Sequence, residues 1–321
     1  GKGDQRSRGF GCFNDNIRNA IRGSTDGTDP GYAMNDQNDR GNVINGIRGA
    51  IEDFTDGPSE TINYISAHDN YTWWDKLDHR WNPNEVPPPG YDEATLIRMN
   101  KFGISMVLTS QGVPFLHAGS EFLRTKRTGD PQQDEETIRN SYNADDEVNK
   151  LDWARRVQYD DVVEYYKGLI ALRKARPEFR LTTAAEIQDN LIVQSSLSDG
   201  VIGYTLADVT PEDDWGQFLV VHNPTSTAVG VPLPEGQWAL VVDGESAGVD
   251  VLATYVSPPN IPFDVSVPGR STYVLYQQVA PPLQFNLFLN PVLTEHLDLA
   301  VNALDGSTSV TVAVNGEAVE L

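Results

Sequence analysis

Three short apolar runs constrain the first half of the chain more than any other feature. Residues 10–14, 62–66 and 112–116 are brief buried-strand candidates, each leading into a polar loop and then a helical stretch. After the first run, Ile17, Ala20 and Ile21 recur at helical spacing and stop at Gly23. A Gly/Asp/Asn-rich loop then runs from 24 to about 41. After the second, a long loop closed by Pro87-Pro88-Pro89-Gly90 precedes a helix from near Asp92, with Leu96, Met99, Phe102, Met106 and Val107 on one face. After the third, a polar loop from Arg124 to about Asp160 precedes a helix marked by Val162, Tyr166, Leu169 and Ile170 and stopped by Pro177. Short strands alternating with helices indicate parallel α/β structure.

Beyond about residue 181 the pattern changes. Apolar runs at 191–193, 201–204, 218–221, 238–242 and 271–276, separated by turns such as Ser198-Asp199-Gly200, predict a small antiparallel β-sandwich. The expected division is therefore α/β structure over 1–180 and a β domain over 181–280. After Ala280-Pro281-Pro282, residues 281–321 start a further β module or tail, with a hairpin signal at Asn315-Gly316 that the chain end cuts off.

Charge narrows the partners. Forty-six acidic against 24 basic side chains give a formal net charge of −22. Such a surface repels nucleic-acid phosphates and anionic lipid, whereas a neutral polymer is indifferent to it. It serves either plain solubility or adaptation to salt. The single cysteine, Cys12, excludes an internal disulfide and a multi-Cys metal site, and no run approaches the length of a transmembrane span.

The stretch Asn63-Tyr64-Ile65-Ser66-Ala67-His68-Asp69-Asn70 places a His–Asp pair at the C-terminal end of a parallel strand, where (β/α)₈ barrels carry their catalytic groups. There an imidazole can donate to one sugar hydroxyl. A carboxylate can accept from others while opposing the positive charge of an oxocarbenium-like transition state.

This run, followed by Thr72 and Trp74-Asp75-Lys76-Leu77, resembles the last signature block of the type I pullulanases, debranching glycoside hydrolases of the α-amylase superfamily. So do Phe13-Asn14-Asp15 with Ile17-Arg18 and Ala20-Ile21-Arg22-Gly23, and Gln111 through Phe122 with Leu123-Arg124-Thr125-Lys126. Asn140-Ser141-Tyr142-Asn143 with Asp146, Val148-Asn149 and Leu151-Asp152-Trp153 resembles the next block. The resemblance spans about 10–276 and implies that 1–180 is the C-terminal part of a (β/α)₈ barrel, its sixth to eighth strands. It implies that Asp69 is the transition-state-stabilising carboxylate and that His68, Asn70, Arg124, Asn143 and Asp146 line sugar subsites. The family has a smaller residue where this chain has Asp145. No organic cofactor is implied; calcium is possible but cannot be assigned to residues.

Tyr71, Trp73, Trp74 and Trp81 surround the same loop, and flat rings suit glucose faces, so Trp74 joins the candidate subsite residues. His117 follows a strand with no partner evident in sequence, and a structural role is expected.

The resemblance also implies an absence. The family's nucleophilic Asp and acid Glu follow the fourth and fifth strands, upstream of what matches Phe10. A retaining glycosidase needs both carboxyl groups about 5 Å apart. The expectation is α-1,6-glucan debranching by an enzyme whose missing N-terminal barrel strands lie elsewhere, this chain alone being inactive, with secretion or cell-surface display as its location. The alternative is a non-catalytic glucan-binding or scaffold protein.

Overall fold

Only two or three residues of each apolar run enter the first sheet, because side chains take over the hydrogen bonding where the strands end. In the computed structural model, β1 (Cys12–Phe13), β2 (Thr61–Asn63) and β3 (Val113–Pro114) lie parallel in that order, with Phe13 opposite Ile62 and Asn63 opposite Pro114. The strands are shorter than their runs. Pro114 has no N–H to offer, and the Asn63 amide turns to the Gly46 and Gln111 carbonyls at 3.1 and 2.8 Å. The residues described are 1–279, except 26, 28, 79–90, 131, 196, 198, 199 and 211–213, together with two strands near the chain end. They belong to two units, Gly1–Pro281 and Pro282–Leu321. Trp81, the Pro87-Pro88-Pro89-Gly90 closure and the Ser198-Asp199 turn lie outside the described residues.

Helices fill the crossovers. Between β1 and β2 stand α1 (Asp15–Arg22), capped by the Asn14 side chain, and α2 (Arg40–Ile47). The second starts where the expected loop ends near Gly41 and was not itself expected, since Gly41, Asn42, Asn45 and Gly46 are poor helix formers. It forms because Gly46 lets α2 settle on Ile17; a Cβ there would stand 2.4 Å from the Ile17 Cδ1. Between β2 and β3 come α3 (Trp73–Leu77) and α4 (Glu93–Thr109), the latter capped by Asp92. The loop expected after β3 is instead a chain of short helices. These are α5 (Glu135–Arg139), α6 (Asp146–Asn149) and α7 (Trp153–Gln158), started by the side chains of Asp134, Asp145 and Asp152, and then α8 (Asp160–Ala175), which packs on α4.

The β part opens with α9 (Ala184–Asn190), held by a Thr183/Glu186 capping box in a region read as strands and turns. Six antiparallel strands follow in the order β4 (Leu191–Val193), β5 (Ile202–Leu206), β6 (Trp215–Asn223), β11, β8, β9. A second layer pairs β7 (Val229–Pro232) with β10 (Asp264–Val267). Here β8 is Gly236–Val242, β9 is Ala253–Ser257 and β11 is Ser271–Gln278. The period-2 alternation divides the large sheet between two cores. Leu219, Val221, Leu240 and Leu275 face the two-stranded layer. Phe218, Val220, Val241 and Val274 share one cluster with Phe102, Leu169 and Phe179 of the α/β part. In the second unit β12 (Val312–Val314) and β13 (Glu317–Val319) pair antiparallel, so a partner strand does follow the expected hairpin signal; Asn315-Gly316 itself lies outside the described residues.

Candidate functional site

The segments leaving the C-terminal ends of β2 and β3 carry the candidate residues. His68 and Asp69 stand out into solvent with side chains 85% and 79% exposed, the imidazole Nε2 3.3 Å from the carboxylate Oδ1. Their loop is exposed only at its tip. Beneath it, the buried Arg22 of α1 donates to the Ile65 and Tyr71 carbonyls, both at 3.0 Å. The buried Lys126 ammonium donates to the His68 and Asn70 carbonyls at 2.8 and 2.7 Å. Asn70 itself holds a left-handed backbone, φ 59°.

Arg124 is half-buried and joins two segments. One guanidinium nitrogen donates to the Asn149 carbonyl at 2.6 Å, and the other lies 2.9 Å from His117 Nε2. A guanidinium can only donate, so His117 Nε2 accepts and Nδ1 carries the proton, 3.4 Å from the Ser66 hydroxyl. Burial, reinforced by the Arg124 and Lys126 charges, pushes His117 down to about 4 and keeps it neutral near pH 7. The histidine that lacked a partner in sequence therefore connects Arg124 to the strand-end run Ser66-Ala67-His68-Asp69.

Asn143 ends the 3-10 turn Ser141–Asn143 and Asp146 opens α6; both are exposed. The capping oxygen of α6 belongs to Asp145, which accepts from the Glu147 and Val148 amides and leaves Asp146 without that task. Asn149 folds back onto the Ser141 and Ala144 carbonyls, so the segment bearing Asn143 and Asp146 is tied to Arg124 through one residue. Arg124 also lines an open cavity with Thr125, Arg127, Glu147, Lys150, Asp152 and Arg155.

Trp74 is a correction. It is 7% exposed, covered by the Arg155 guanidinium at 5.9 Å and by the Tyr159 ring at 6.3 Å, and it packs the loop against the core instead of offering a sugar platform. Tyr71 and Trp73 are buried as well. Trp153 is 65% exposed, and the aromatic ring most presented to solvent within the candidate segments is Tyr142, 83% exposed beside Asn143. Its place between two polar residues was the signal available in sequence. A second missed group is Tyr64, whose hydroxyl donates to Asp15 at 2.5 Å and accepts from Arg18; burial and the Asp15 carboxylate push its ionisation upward.

Among the described residues no group of three or more His, Cys, Asp or Glu could hold a metal ion, so no calcium ligand is assigned. None of their helices is long and apolar enough to cross a membrane.

Comparison with known proteins agrees with both halves. A family described as "Pullulanase, all-beta domain" matches residues 187–246. A pullulanase of Bacillus subtilis (strain 168) is 34% identical over 278 residues, covering 84% of this chain and 35% of that protein. The solved structure of a pullulanase from Bacillus acidopullulyticus matches with a TM-score of 0.75 and 39% identity, covering 86% of this chain and 31% of the other. A pullulanase from Anoxybacillus sp. LM18-11, complexed with maltotetraose, matches with a TM-score of 0.69 and 31% identity, covering 83% and 35%. These likenesses, with the strand-end loops and the β domain, place the chain in the pullulanase family, and it spans about a third of the length of the relatives it matches.

Proposed function

We propose that the chain is the C-terminal part of an enzyme that hydrolyses α-1,6-glucosidic branch linkages in pullulan, starch, glycogen or limit dextrins by a retaining mechanism. The observation that carries this reading is the presentation of Asp69. Its carboxylate is exposed at a parallel strand end, on a loop whose carbonyls are bound from below by two buried cations. A carboxylate so held can oppose developing oxocarbenium charge without having to reorganise. His68 contacts the sugar before the cleaved bond, and Asn70, Arg124, Asn143 and Asp146 line the subsites, with maltotetraose as the ligand class seen in a relative.

In this reading β1, β2 and β3 are the sixth to eighth strands of a (β/α)₈ barrel, and upstream strands of the same protein complete it. They bring the nucleophile and the general acid that retention requires. Support comes from the apolar side chains left open on this sheet and just beside it: Phe13 and Val113 on its strands are both 44% exposed, and Phe10 and Leu116 next to them are 55% and 37% exposed. Secretion or cell-surface display is part of the same proposal.

The test is pullulan hydrolysis by the chain expressed together with its upstream barrel region, with and without Asp69→Asn. The substitution should lower kcat by roughly 10³, about 4 kcal/mol of barrier, with folding intact. Near-normal hydrolysis by that variant overturns the role of Asp69. Maltotetraose binding with no hydrolysis by any assembled form would favour a non-catalytic glucan-binding protein instead.

A further inference from the structure

Lys126 closes a segment that the resemblance treated only as part of a motif. Its side chain is 1% exposed, yet its ammonium reaches two backbone carbonyls, at 2.8 and 2.7 Å, belonging to the residues on either side of Asp69. The carbonyl of residue 68 lies in the peptide plane that leads into Asp69, and the carbonyl of residue 70 pins the chain one residue beyond, so the two bonds bracket the backbone from which the Asp69 side chain leaves. Lys126 is itself held at three points. Its amide donates to Asp75 Oδ2 at 2.9 Å, the neighbouring Thr125 hydroxyl donates to Asp75 Oδ1, and its carbonyl accepts from Gln133 at 2.9 Å. Asp75 is fully buried in the first turn of α3, so the strut rests on a helix of the core.

We infer that Lys126 is a positioning residue for the loop that presents His68 and Asp69, acting through their backbone and not by touching substrate. A stabilising role alone fits poorly. Burial pushes the Lys126 ammonium down to about 8, even though Asp75 and Asp69 favour the charged form; Arg124 and Arg22 oppose it, and the neutral His117 stands beside them. A folded-state value below the unfolded one means that the charge at pH 7 is carried at a cost to stability. Between about pH 8 and 10.4 the unfolded chain binds more protons than the folded one, so linkage raises stability as the ammonium neutralises. The loop meanwhile loses its two charge-assisted bonds. Loop order and global stability thus move in opposite directions.

The experiment is residue-resolved amide exchange at pH 7 on this chain expressed together with its upstream barrel region, for the wild type and Lys126→Met, with melting temperature and maltotetraose affinity measured on the same samples. Exchange at residues 66–71 should quicken about tenfold, with other segments unchanged and the melting point equal or higher. Unchanged protection at 66–71 overturns the inference, as does faster exchange throughout with a lower melting point, which marks a plain structural prop. Should the variant not fold, wild-type exchange at about pH 9.5, corrected for the intrinsic rate, decides: loosening confined to 66–71 supports the role, and full protection overturns it. The meaning of the loop rests on the glucan-site reading. If no sample binds maltotetraose, that reading fails, while the exchange data still judge Lys126.

Discussion

The α/β part and the β part bury different kinds of polar groups. Every buried charged residue among those described lies before residue 181: Arg22, Glu60, Asp75, Lys76, Lys101, Lys126, Arg173, Arg176 and Glu178. The β part buries His222, Asn223, Ser257, Ser271 and Thr272, and no Asp, Glu, Lys or Arg. Strand length explains the contrast. β6 and β11 pair over most of their residues, so the ladder satisfies its own backbone. The parallel strands pair over two positions each and hand the chain to buried loops, whose carbonyls need other donors. Cations supply them: Arg22 at residues 65 and 71, Lys76 at 27 and 29, Lys126 at 68 and 70, Arg173 at 108, 110 and 112. The irregular backbone of the candidate site is thus built on buried charge, and the regular backbone of the β part has no need of it.

Where the bonded carbonyls are themselves buried, unlike those at the loop tip that Lys126 holds, removing the cation should break the first region most severely. Arg173 donates to the Leu108, Ser110 and Gly112 carbonyls at 3.0, 2.7 and 2.6 Å, and burial pushes it down to about 10. Arg173→Met leaves three carbonyls unpaired and should cost about 3–5 kcal/mol, read from the urea midpoint. A loss under about 1 kcal/mol would mean that these loops satisfy themselves as the strands do.

Acid should expose the buried titratable group of the second region. His222 is fully buried with Nδ1 2.8 Å from the Thr272 hydroxyl, and burial pushes it down to about 3. Its unfolded value is near 6.5, so the stability from keeping it neutral is complete above that pH and is lost as pH falls from about 6.5 toward 3. Between pH 7 and about 4.5 this group should cost about 2–3 kcal/mol. His222→Gln should flatten the fall in urea midpoint; an unchanged slope would assign acid sensitivity to the charged half.

The same contrast governs what could be read from the residues alone. α4 and α8 were legible because seventeen- and sixteen-residue helices carry an apolar stripe, and Asp92 and Pro177 mark a start and a stop. The β strands were legible through their alternation. The strand-end position of His68 and Asp69 was legible because a short apolar run ends just before them. α2, α3, α5, α6, α7 and α9 were missed because one or two turns, all but α2 started by a side-chain cap, leave no periodic signal. Trp74 was misjudged because an aromatic beside a site loop reads the same whether it faces sugar or core. The link from Arg124 to His117 depends on where the chain turns between them, at a 3-10 turn and a left-handed Leu123.

The smallest expected effect tests whether side-chain capping and sugar contact are separable within one segment. Asp145 accepts from the Glu147 amide at 3.1 Å and the Val148 amide at 3.3 Å, and α6 has four residues, too few to hold itself. Asp145→Ala should therefore cost about 1 kcal/mol, the ordinary worth of an N-cap. Because Arg124 bonds to Asn149 in that helix, the same change should also weaken maltotetraose binding, indirectly. Asp146→Ala removes an exposed carboxylate that takes no part in the cap, so it should leave the melting temperature unchanged while weakening maltotetraose to a similar degree. Calorimetric titration and thermal melts of both variants decide the matter. If Asp146→Ala binds as the wild type does, the proposed subsite role passes to neighbours such as Asn143 or Tyr142. If Asp145→Ala melts as the wild type does, α6 is held by Arg124 and Asn149, and the dependence of this region on side-chain props is even greater than its caps suggest.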